Sequence, residues 1–152
     1  MAGAESEGPE QILVPVNGSD LDQIVMELAA TAAKAQDAEL IIVYVIAVPR
    51  SLPLDAEFEV EESAGQRALD GAERIADEAK VDFTSELLQA RSVGAAIVDE
   101  AIDRAARLVL MGVTHRERYG EFYLGQTVPY VLQNALCRVW IVRGAKDIEA
   151  DS

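Results

Sequence analysis

The chain has 152 residues, with 27 Asp and Glu against 13 Lys and Arg, a formal charge of −14 at neutral pH. Half of the residues are hydrophobic and 5% are aromatic, so the core is aliphatic and the chain is long enough to bury it without metal or disulfide staples. The charge disfavours nucleic acid and anionic membrane as partners, and a single cysteine, Cys137, beside a single histidine, His115, supplies neither a disulfide nor a zinc cluster and fits a reducing, cytoplasmic setting. The amino terminus lacks a basic region followed by an apolar stretch, and no run approaches the roughly 18 apolar residues of a membrane span. Residues 1–10 and 145–152 read as acidic tails around one domain, 11–144.

Short β-branched runs alternate with segments of helical period, the pattern of parallel β-α-β units. The first run is Ile12 to Val16, followed by Asn17 and Gly18, with Ser19 or Asp20 as helix N-cap. Leu21, Ile24, Val25, Leu28, Ala29 and Ala32 then recur at helical spacing and predict one buried face. Leu40 to Val48 is apolar at nearly every position, as in a strand covered on both sides. A helix is expected within Asp55–Lys80, its small residues Ala68, Ala72, Ala76 and Ala79 fitting close approach to a sheet and its outer face acidic. A weaker strand follows near Asp82–Leu88, then a helix from Val93 to Ala106 with Ile97, Ala101 and Ile102. Arg107 to Gly112 is a strand ending in glycine; after a polar loop, Val128, Val131, Leu132 and Ala135 mark the last helix and Val139 to Val142 the last strand.

Five strands and four helices in this order predict an α/β fold, an open, doubly wound five-stranded parallel sheet with helices on both faces. Ligands of such sheets sit outside the carboxyl ends of the strands, here Asn17–Asp20, Val45–Arg50, Gln89–Gly94 and Gly112–Thr127. Charge singles out the last of these regions. Residues 1–103 hold six basic residues against 22 acidic ones, whereas Arg104–Lys146 holds seven against two, a local balance of +5. Gly112, His115, Arg116, Arg118, Gly120 and Gly125 lie there, just before a helix beginning near Thr127 and Pro129. A helix amino terminus offers unpaired N–H groups to an anion, and glycine lets a phosphate approach the backbone.

The segments ILVPVNGSD, IIVYVI, VLMGV and LGQTVPYVLQNALCRVWIVR, in this order over roughly residues 11–144, resemble the universal stress protein family. The resemblance implies a Rossmann-like, adenine nucleotide alpha hydrolase-like fold, a universal stress protein domain at 11–144, and an adenine nucleotide, ATP or AMP, as ligand. ATP-binding members carry Gly, two residues, Gly, nine residues, Gly and then Ser or Thr. Here Gly112, His115, Gly125 and Gln126 keep the spacing, with His115 in place of the second Gly, Gln126 in place of the hydroxyl residue, and Thr127 directly after. Asn17 stands where an aspartate usually ends the first strand. By position, the adenosine pocket involves Pro15, Val16, Asn17, Val45 and Ile46, and the phosphate side Gly112, Thr114, His115, Gly125, Gln126 and Thr127. The resemblance assigns no catalytic residue and no metal ligand.

Members of that family commonly dimerise through the last strand, which implies a homodimer through Val139, Trp140, Ile141 and Val142, with Trp140 covered by the second copy. The segment Val48–Leu54 also resembles family domains attached to transporters, which implies a transporter as another partner. Two other functions remain open. One is a member without nucleotide that acts through protein contact; the other is a slow nucleotide hydrolase or phosphotransferase in which His115 handles phosphate.

Overall fold

The computed structural model describes residues 10–113 and 125–145, together with the backbone of 117–118 and 121–122. Of the expected tails, residues 1–9 and 146–152 lie outside the described residues, as do the site residues Thr114 and His115, whereas Glu10, expected in the tail, begins the first strand. The order of elements is β1 (Glu10–Pro15), α1 (Leu21–Gln36), β2 (Ala38–Ala47), α2 (Glu59–Ala79), β3 (Phe83–Ala90), α3 (Val93–Asp103), β4 (Leu108–Val113), β5 (Glu117–Arg118), β6 (Glu121–Phe122), α4 (Thr127–Asn134) and β7 (Arg138–Arg143). Five strands form one parallel sheet in the order β3-β2-β1-β4-β7. The remaining pair, β5 and β6, is a short antiparallel hairpin inside the stretch expected to be loop.

Alternation along each strand sends successive side chains to opposite faces, and the two faces carry separate aliphatic cores. Ile12, Val14, Leu40, Ile42, Leu108 and Leu110 pack under α1 and α2. Leu13, Ile41, Val43, Val109 and Met111 pack under α3 and α4. The sheet is thus doubly wound, with the strand order reversing between β1 and β4.

Three helix faces depart from the periodic expectation. Ile24 and Leu28 are 48% and 45% exposed, because α1 is covered on its sheet side and on one flank by α2 and leaves its other flank open. Ile102 and Leu132 are also exposed: α3 and α4 each have one sheet-facing stripe, narrower than the apolar sequence. α4 ends at Asn134, one residue before Ala135. The weak pattern of β3 has a physical cause. It is an edge strand paired with β2 alone, so its residues are mostly half-buried. No helix of the described residues is long and apolar enough to cross a membrane.

Candidate functional site

Pro15 shapes the crevice where the strand order reverses. Along a strand, backbone groups alternate between the two neighbouring strands: the Gln11 carbonyl accepts from Arg107 N–H beside β4, while Val16 N–H donates to the Val43 carbonyl on β2. Position 15 therefore faces β4, and proline has no N–H to donate there. The β1–β4 pairing covers Ile12↔Leu108 and Leu13↔Val109, although β1 runs on to Pro15 and β4 to Val113. Past Leu13 the strands part, and a cleft of about 270 Å³ opens between them, near the lower end of small-molecule sites at about 300–1,000 Å³.

The cleft gathers residues from four distant segments. Pro15, Val16 and Asn17 come from the end of β1, Val45 from β2, Gly112 from β4, and Gly125, Gln126 and Thr127 from the start of α4. Ile46 does not line it and is buried in the sheet. Tyr44, Val93, Ile97, Met111, Val113 and Val128 complete the walls and were not singled out from the sequence. Val93 and Val113 carried a signal, since they fall in the strand-end segments Gln89–Gly94 and Gly112–Thr127. The body of the cleft is apolar, and polar groups stand at one end in Asn17, Gln126 and Thr127.

Each polar element has a local cause. Gly125 has φ +73°, a left-handed conformation that glycine adopts without strain, and a Cβ there would meet no atom within 4 Å. It turns the chain into α4, whose N-cap Gln126 makes no side-chain cap bond, and Gln126, Thr127 and Val128 place the uncapped amino terminus of the helix, the positive end of its dipole, on the cleft wall. At the opposite wall, Ser19 N–H donates to Asn17 Oδ1 at 3.0 Å. The Asp22 carboxylate accepts from Asn17 N–H at 3.2 Å and Gly18 N–H at 2.7 Å. Asp20, one of the two expected caps, is the N-cap but makes no side-chain cap bond, and Asp22 ties the turn instead. Burial raises the Asp22 carboxyl above its ordinary range, and the two N–H bonds oppose that rise.

Gly112 has a structural reason of its own. A Cβ there would lie 2.7 Å from Leu21 Cδ2 and 2.9 Å from Val25 Cγ2, so the missing side chain is what lets α1 close on β4. The basic balance of the carboxyl-terminal third also divides differently in space. Arg104 pairs with Glu86 at 2.7 Å and Glu100 at 3.2 Å, and Arg107 with Glu10 at 3.5 Å, at the far ends of the strands. Among the described residues no arginine or lysine lines the cleft. The Cys137 thiol is half-buried and burial pushes its pKa up, which leaves it protonated and unreactive near neutrality. Among the described residues no group of three or more His, Cys, Asp or Glu side chains is placed to hold a metal ion.

The chain matches the model of the universal stress protein family over residues 9–143. It is 31% identical over 143 residues to a universal stress protein of Methanocaldococcus jannaschii, covering 90% of this chain and 84% of that one. Among solved structures it is similar to a universal stress protein from Archaeoglobus fulgidus (TM-score 0.74, 20% identity, 88% and 98% covered). It is similar as well to the universal stress protein from that organism in complex with dAMP (TM-score 0.71, 16% identity, 90% and 99% covered). Neighbours at TM-scores of 0.65 and 0.64 were solved with cAMP and, from Arabidopsis thaliana, with AMP bound. By the family match across nearly the whole domain and the identity to a curated relative, the chain belongs to the universal stress protein family.

Proposed function

We propose that the chain is a nucleotide-binding regulatory domain whose cleft takes an adenine nucleotide as a signal in stress response, without fast chemistry of its own. The observation that carries this is the convergence on one crevice of eight residues chosen from the sequence as nucleotide contacts. The chemistry agrees with a base in the apolar body, between the β1–β2 wall and Met111 and Val128, and phosphate at the first amides of α4. Fold neighbours solved with dAMP, cAMP and AMP support the adenine class.

The domain acts as a homodimer through β7. β7 is an edge strand, and its Trp140 is 41% exposed, an apolar surface that a second copy covers. Calorimetric titration with AMP and ATP tests the nucleotide: saturable heat with either supports it. No heat with either at millimolar concentration refutes it, and a member that works by protein contact alone, on a transporter or another protein, would take its place. Light scattering near twice 16.4 kDa supports the dimer, and a monomer at micromolar concentration refutes it.

A further inference from the structure

A second cavity, of about 520 Å³, opens between the amino-terminal turn of α1 and one face of α2, and shares Asn17 and Tyr44 with the wall of the first. Its α2 wall is low because Ala64, Ala68 and Gly71 stand there; a Cβ at Gly71 would meet nothing within 4 Å. Arg67 and Arg74 line it. Arg74 has Asp70 and Glu78 four residues to either side, the spacing of helical ion pairs. Among the described residues the ion pairs within 4.0 Å belong to Arg104 and Arg107 instead. In a chain with about twice as many acids as bases, two arginines thus border a groove with no carboxylate of the described residues within ion-pair distance of either.

We propose that this groove is a second binding site, for a small molecule carrying a phosphoryl group on an aromatic or apolar body. The planar guanidinium fork matches phosphoryl oxygens, and Tyr44 with Ala68 and Ile75 offers the body an apolar floor. Two carboxylates also line the groove, Asp22 and Glu78. Asp22 is already engaged by the amides of Asn17 and Gly18, and Glu78 stands beside Arg74, so the pull on an anion comes mainly from Arg67. The groove exists whether or not the cleft takes a nucleotide, and the shared wall at Asn17 and Tyr44 would let each site sense the other.

Amide NMR on the full chain, with phenyl phosphate as the probe, tests this. Phenyl phosphate should shift the amides of Gly18, Ser19 and Gly71 saturably, more tightly than inorganic phosphate does, and leave Gly125 in place. Arg67→Gln should weaken it about tenfold, the scale of one hydrogen bond to a charged group, and the double variant with Arg74→Gln more. Both positions are exposed, so the fold tolerates the change, and AMP titration of the same variants reports the cleft separately. Shifts that are absent at millimolar phenyl phosphate, that persist in the double variant, or that occur at Gly112 and Gly125 alone would overturn the proposal.

Discussion

Alanine at position 112 separates two explanations for the glycine near the end of β4, clearance for a phosphate or clearance for α1. The new methyl would sit 2.7 Å from Leu21 Cδ2, 3.1 Å from Leu21 Cγ and 2.9 Å from Val25 Cγ2. Leu21 can swing its terminal methyl aside. Val25 cannot: it is 1% exposed, and a β-branched residue in a helix has essentially one χ1 rotamer. α1 must therefore lift, at the cost of overpacking a full core, about 1–3 kcal/mol, or about 2–4 °C of melting temperature per kcal/mol at this chain length. Val25→Ala alone removes two buried carbons and costs about 2 kcal/mol. In the double variant the new methyl occupies the space Val25 vacates, so urea unfolding of the four proteins should give a double-mutant coupling of about 1–2 kcal/mol. Additivity within about 0.5 kcal/mol would refute the packing account.

Gly125→Ala meets no steric contact, so its cost is conformational, about 1–2 kcal/mol for an L-residue held in the left-handed region. If relief of that strain moves the first turn of α4, AMP affinity falls about tenfold; unchanged affinity by calorimetry would place the phosphate elsewhere. Asp22 carries a pH signature. Its folded pKa lies above the unfolded 3.8, so its contribution is full below that value and is lost as pH rises through the raised value. Asp22→Asn removes the titration, and the stability of the variant relative to the parent, from urea unfolding, should improve as pH rises through that window. A pH-independent difference would contradict the burial of the carboxyl. Trp140→Lys puts a charge on the β7 edge and should halve the mass seen by light scattering; an intact dimer would move the interface off that strand.

Strand runs such as Leu40–Val48 were legible because a strand buried on both faces admits nothing but apolar residues, and the order of elements then determined the winding. The flank of α1 was not legible: Ile24 and Leu28 have the right chemistry and spacing for a core, and their exposure follows from where α2 lies, which periodicity does not encode. The same limit applied at the site. Gly125 announced a turn before a helix and makes one, whereas Gly112 carried a message about Leu21 and Val25 that belongs to packing between distant segments. Net charge by segment located a basic region but could not tell that Arg104 and Arg107 are spent on Glu86, Glu100 and Glu10. Tyr44, Met111 and Val128 read as core residues in the chain and become cleft walls through the parting of β1 and β4, a consequence of Pro15 facing β4.

A crystal structure of the full chain grown with millimolar AMP tests the central claim most directly. The account predicts the adenine between Val16, Val45 and Met111, with the phosphate at the amides of Thr127 and Val128. A cleft empty at that concentration, or AMP bound away from the ends of β1 and β4, would contradict it.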